Sequence, residues 1–165
     1  MSRVAIHADA VSSAPAERAF AVLTDWPRHD EWMPFTTARG GHGVGAGLEG
    51  WTGVGPVGFR DTMVITEWRP GRWVRVRHTG GVVRGEAFFE TAPLPGGGSR
   101  IRWAEAIDLP LGPLGRIGWL AAGPVIGAFM RQGLRRLAEL AAHEDGPASG
   151  EGPASGTGRD VGGVR

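Results

Sequence analysis

The sequence predicts an α+β domain: one strand, two short helices, an antiparallel meander and a long C-terminal helix. Three observations carry this. Residues 36–109 form a succession of short runs rich in Val, Ile, Phe, Trp and Thr, and the Gly- and Pro-containing turns between them are too short for helical crossovers. Residues 126–141 carry one apolar stripe at helical spacing. The chain has 165 residues, which fits one domain. A domain of this size buries about two thirds of the surface its unfolded chain exposes, enough for a core without covalent staples.

The elements follow in order. Val4, Ile6, Ala8 and Ala10 alternate with Ala5, His7, Asp9 and Val11, the period of two expected of a first strand. Ser12 and Ser13 offer capping oxygens, Pro15 suits a first helical turn, and Glu17 falls near the positive end of the helix dipole. Ala16, Ala19, Phe20 and Leu23 then make one apolar stripe. Asp25 is placed to cap a second short helix, with Pro27 in its first turn. Strands are expected from about Thr36 onward, at 48–52, 59–68, 73–79, 82–91 and 100–109, separated by turn-forming glycines and prolines. Pro110 to Pro113 ends the sheet, residues 114–122 predict a short helix, and Pro124 is expected to open the long one. Ile126, Phe129, Met130, Gly133, Leu134, Leu137 and Ala141 share a face of that helix, while Arg131, Arg135, Arg136 and Glu139 fall off it. After His143 only Gly, Pro, Ala, Ser and charged residues predominate, and Gly-Pro-Ala-Ser-Gly recurs at 146–150 and 152–156. Such a segment cannot bury enough apolar surface to offset its entropy, so residues 1–143 are expected to form the domain and 144–165 a disordered tail.

Composition narrows the chemistry. All 18 basic residues are arginine, so a lysine Schiff base and a phosphate loop ending in Gly-Lys are impossible. There is no cysteine for a thiolate or disulfide and no tyrosine for a phenolic acid. No Gly-x-Ser-x-Gly elbow occurs. A net charge of +1, with arginines spread among acids, argues against a nucleic-acid partner. The five histidines show no metal-binding spacing, so neither a metal nor a cofactor is expected. The run 117–130 is too short to span a membrane, and no signal peptide is expected, so the expected location is cytoplasmic.

What remains for catalysis is Asp, Glu, His, Arg and Thr. Ile101, Trp103, Glu105 and Ile107 share one face of the last strand, which makes Glu105 the leading candidate for a carboxylate on the packed side. Such a carboxylate serves as an acid–base group, pairs with an arginine, or sits near a strand end in water. Asp61 shares a face with Phe59, Met63 and Ile65, but Trp68 falls on the opposite one, so the phase of that strand stays open. His78 lies in phase with Val74 and Val76 and can move protons near neutral pH, or sit hydrogen-bonded at a strand end. Arg75, Arg77, Arg84 and Glu86 are expected on the outer face. Seven tryptophans are many for this length. Trp26 and Trp32 are expected to close one end of the sheet. Trp51, Trp73 and Trp103 are candidates to line a hollow, together with Phe59, Met63 and Phe89. From the helical segment, Trp119, Ile126, Phe129 and Met130 join that candidate ligand-binding set.

Several residues carry a family resemblance: Pro15-Ala16-Glu17 with Phe20 and Leu23, Asp25-Trp26, Trp32-Met33-Pro34, Gly45-x-Gly47, Trp73 after a Pro-Gly turn, and Gly97-Gly98-Ser99-Arg100 before the last strand. Over about residues 3–143 the chain resembles the START-like (SRPBCC) superfamily, in its polyketide cyclase/dehydrase and lipid-transport branch. The resemblance implies a helix-grip fold, a curved antiparallel sheet wrapped around the long C-terminal helix with an apolar cavity between them. It implies binding, or transport, of a lipophilic or aromatic small molecule. An alternative is a cyclase/dehydratase that works through cavity acid–base groups, for which Glu105, Asp61 and His78 would have to converge. A third reading is a membrane-surface or protein-interaction module built on residues 114–130. No catalytic motif of the family is matched, and the oligomeric state is left open.

Overall fold

In a computed structural model the chain is described over residues 2–110 and 113–143. The tail expected to be disordered, residues 144–165, lies outside the described residues. Seven strands form one antiparallel sheet: β1 (Ser2–Ser12), β2 (Thr36–Gly40), β3 (Gly47–Val54), β4 (Val57–Arg69), β5 (Trp73–His78), β6 (Gly85–Pro93) and β7 (Ser99–Leu109). Their spatial order is β1-β7-β6-β5-β4-β3-β2, a meander in which only β1 is out of sequence order. Between β1 and β2 lie α1 (Ala16–Thr24) and a 3₁₀ segment, η1 (Trp26–Glu31). The long helix α2 (Pro113–His143) packs over β1 and β7 and against α1. This is the α+β helix-grip architecture, with an open sheet.

Local chemistry explains each departure from expectation. Helix α1 starts at Ala16 with Pro15 as its N-cap and no side-chain cap. The Ser12 hydroxyl accepts from the Ala14 N–H at 3.2 Å and donates to the Ala138 carbonyl oxygen at 2.7 Å, and Ser99 donates to the Ala14 carbonyl oxygen at 2.8 Å, which ties β1, β7 and α2 together. Asp25 precedes η1 without a side-chain capping bond, and Pro27 does fall in its first turn. Helix α2 runs unbroken through Pro124, where the sequence predicts a separate helix to begin. A proline there removes one backbone bond, and exposure of the helix on that side leaves the freed carbonyl to water. Val82 precedes β6 rather than starting it. Gly85 holds φ at 126°, and a Cβ there would stand 2.0 Å from the Ala106 carbonyl oxygen, so β6 begins at a position that only glycine fits.

A bulge between Ile65 and Glu67 resolves the phase of β4. Ile65 opposite Val76 and Trp68 opposite Val74 both face inward, although three positions separate them. On the concave face Trp32, Trp103, Met130, Leu134 and Leu137 build the core, with Phe89 partly buried against it. Trp32 is fully buried and meets Phe89 and Trp103 edge-on, each with centroids 6.4 Å apart, and it lies against Gly133 of α2. Trp26 is buried as well and donates to the Gly41 carbonyl oxygen at 2.8 Å.

Candidate functional site

The strand alternation brings three titratable side chains together on the concave face. His78 is the last residue of β5 and pairs with Met63 of β4 and Gly85 of β6. Asp61 lies two residues before Met63 on the same face, and Glu105 of β7 lies opposite Ala87 of β6. Asp61 is on the adjacent strand, and with only Gly85 and Ala87 on the intervening β6 the imidazole also approaches Glu105. His78 Nδ1 is 2.7 Å from Asp61 Oδ2, and Nε2 is 3.6 Å from Glu105 Oε2. The first contact is a short hydrogen bond; the second is an ion-pair distance too long for one. Trp103 donates its Nε1–H to Glu105 Oε1 at 3.0 Å and so aims that carboxylate.

The cluster is shielded, with side-chain exposures of 5% for His78, 15% for Asp61 and 13% for Glu105. Burial alone would lower the pKa of His78. The Asp61 hydrogen bond and the flanking carboxylate charges outweigh it and push the pKa from 6.5 up to about 9. At neutral pH the imidazole is therefore a cation between two carboxylates. Two buried atoms here have no hydrogen-bond partner, His78 Nε2 and Asp61 Oδ1. Buried polar atoms are normally satisfied by protein groups or ordered water.

The other candidate ligand contacts divide. Trp103 and Met130 are in the core, and Phe89, Met63, Ile126 and Phe129 are partly buried against it. Phe59 shares the face of Asp61 and is more exposed, at 37%. Trp119 is half-buried and its ring covers Gly123 within α2. Trp51 belongs elsewhere: it pairs with Arg60 and Thr37 on the convex face, because Leu48, Gly50 and Thr52 carry the inward phase of β3. Trp73 is also convex. It stacks on Phe88 with centroids 4.9 Å apart, and the Arg75 guanidinium lies over both rings. Arg75 also pairs with Glu67 at 3.1 Å and Glu86 at 3.6 Å, the cross-strand charge pairing expected of the outer face.

Two hollows of about 310 and 360 Å³ open on that convex side, the first over Ala5, Ala104, Ala106 and Phe88, the second beside Trp73 and Glu90. Neither lies between sheet and helix, where the resemblance places a cavity; there the rings of Trp32, Phe89 and Trp103 meet.

Sequence reasoning missed a second buried polar group. His29 lies between Trp26 and Trp32, with ring centroids 5.3 and 4.6 Å away. Burial, only partly offset by a backbone bond to Asp25 and the Asp30 charge, lowers its pKa to about 4. Its Nδ1 and Trp32 Nε1 are buried without partners. The Trp-x-x-His-x-x-Trp spacing, a ring every three residues through a 3₁₀ turn, is the signal that locates it. Among the described residues no group of three or more His, Asp or Glu side chains has the arrangement to hold a metal ion. No described helix is long and apolar enough to cross a membrane.

Residues 3–142 match the family described as polyketide cyclase / dehydrase and lipid transport, and the chain belongs to it. The fold is similar to that of the Zhui aromatase/cyclase from Streptomyces sp. R1128, with a TM-score of 0.71 and 13% identity, covering 85% of this chain and 94% of that one. It is similar to TTHA0849 from Thermus thermophilus, at 0.72 and 18% identity, covering 86% and 100% of the two chains. It is also similar to Aha1 from Colwellia psychrerythraea, at 0.59 and 16% identity, covering 87% and 99%. At these identities the likeness establishes the fold. No curated protein matches the sequence.

Proposed function

We propose that the protein binds a lipophilic or aromatic small molecule on its concave face, and that the molecule carries a hydroxyl or carbonyl group received by Asp61, His78 and Glu105. The observation that carries this reading is the pair of unpartnered buried atoms, His78 Nε2 and Asp61 Oδ1. A ligand oxygen there would accept from the imidazolium, and a ligand hydroxyl could donate to the carboxylate. Phe59 and Met63 flank the cluster along β4. On α2, Gly127 passes against Ile6, the cross-strand neighbour of Glu105, so Ile126 and Phe129 come level with the cluster. The ligand's apolar body lies against these partly buried side chains, and family membership supports the same reading.

The convergence of the three groups favours a second reading, acid–base catalysis of the cyclase/dehydratase kind. In that case His78 Nε2–H protonates a substrate carbonyl oxygen, and Glu105 holds the imidazole charged until the proton leaves. The aromatase/cyclase among the structural relatives is consistent with this chemistry.

Native mass spectrometry and solvent extraction of the purified protein are expected to yield a bound hydrophobe bearing at least one oxygen. Glu105→Gln keeps the fold and weakens retention of that molecule by about tenfold, the cost of one lost charged contact. Should extraction return nothing and no aromatic or fatty probe bind, the binding reading fails. Turnover of an extracted polyketone that Glu105→Gln abolishes would decide for catalysis.

A further inference from the structure

One end of the sheet, where β4 and β6 begin and β5 and β7 finish, gathers most of the large apolar side chains that the protein leaves in water. Val54 and Val57 form the tip of the β3–β4 hairpin and Val82 the β5–β6 loop, all two-thirds exposed or more. Leu114, Ile117 and Leu120 are 69%, 64% and 77% exposed on the first turns of α2, which starts at the same end. Of the other exposed large apolar side chains among the described residues, only Val11 and Val44 lie at the opposite end of the sheet. Three separate elements thus present apolar side chains at the same end of the sheet, and residues 113–130 of α2 carry a single charge, Arg116. A monomer gains nothing by leaving such a patch in water, so the patch marks a docking surface.

Charge identifies the occupant. Arg77, Arg84 and Arg116 are exposed around this end, and none of them has an ion-pair partner among the described residues. Among the described residues the acids there are all engaged: Asp108 with Arg3 at 2.8 Å, Glu86 with Arg75 at 3.6 Å, and Asp61 and Glu105 with His78. An apolar centre fringed by free guanidinium groups, with no free carboxylate, is complementary to an anionic bilayer surface: the apolar tips enter the acyl boundary and the arginines meet the headgroups. It is a poor complement to itself, because a second copy would set arginine against arginine. We infer that this end of the protein docks reversibly on anionic lipid membranes through the β3–β4 hairpin tip, the β5–β6 loop and the first turns of α2. Since the Asp61–His78–Glu105 cluster lies toward the same end, docking would bring it close to the lipid surface.

Sedimentation of the full chain with unilamellar vesicles tests the inference. The wild type is expected to sediment with vesicles of phosphatidylcholine mixed with phosphatidylglycerol and much less with phosphatidylcholine alone, and added salt should release it. Ile117→Asp combined with Leu120→Asp should weaken binding by at least about tenfold, as expected when two large side chains can no longer leave water. Arg84→Glu with Arg116→Glu should weaken it by about tenfold and remove the salt dependence. All four positions are exposed, so unfolding temperatures should stay at the wild-type value. Absence of sedimentation with anionic vesicles overturns the inference. So does concentration-dependent dimerisation that the aspartate pair abolishes without vesicle binding in the wild type, which would assign the patch to a second copy.

Discussion

Replacing His78 with alanine is expected to lower the unfolding free energy at neutral pH by on the order of 3 kcal/mol and to remove the alkaline limb of the stability profile. The gap between the ordinary 6.5 and about 9 in the folded protein sets the scale, at about 1.36 kcal/mol per pH unit. The folded-state value is the raised one. The stabilisation is therefore complete below pH 6.5 and disappears as pH climbs through about 9. His29 acts in the opposite sense. Its folded value of about 4 lies below that of the unfolded chain, so its contribution is complete above pH 6.5 and disappears as pH falls toward 4. The wild type should accordingly be most stable near pH 6.5, with a histidine-driven decline on both sides. His78→Ala flattens the alkaline side and leaves two carboxylates facing a hole, while His29→Phe flattens the acid side above about pH 4.5. Urea denaturation across pH 4.5 to 9.5 measures both. A wild-type profile that stays level between pH 6.5 and 9 would contradict the charged assignment of His78.

The second large effect concerns Trp32. Trp32→Ala should cost about 3–5 kcal/mol, the range for emptying a buried aromatic site. The ring touches η1 through His29, the sheet through Phe89 and Trp103, and α2 at Gly133, so the surrounding structure cannot close around the loss. Trp32→Phe separates packing from polarity. The indole Nε1 is buried without a partner, and phenylalanine removes that unsatisfied donor while keeping a ring. The Phe variant is therefore expected to fall within about 1.5 kcal/mol of the wild type. Thermal unfolding of the two variants checks this; equal losses would mean that the indole makes a polar contact essential to the core.

How far the sequence anticipates the molecule depends on whether a feature is local. Alternation along β7 places Glu105 beside Trp103 on the concave side, and alternation along β5 places His78 with Val74 and Val76. These assignments need only the period of two. Asp61 is ambiguous in the sequence because Trp68 is out of phase with Ile65, and the bulge that reconciles them is not written in residue type. Trp51 shows the converse error. Ring size suggests the interior, but glycine and threonine carry the inward phase of β3, and phase decides. Ser12 reads as a local cap and does accept from the Ala14 N–H, but its hydroxyl also reaches Ala138, 126 residues away, a pairing no local rule contains. The approach of His78 to Asp61 at 2.7 Å and to Glu105 at 3.6 Å is likewise beyond reach, since the first requires the register of β4 on β5 and the second the small residues of the intervening β6.

The most direct test is a pH titration of the His78 imidazole followed by nitrogen-resolved NMR, with the resonances assigned through His78→Asn. A cation held between Asp61 and Glu105 should show both ring nitrogens protonated at pH 7.5, titrate near 9, and shift when the extracted hydrophobe is added back. A midpoint at or below the ordinary histidine value, with no response to that molecule, would contradict the account.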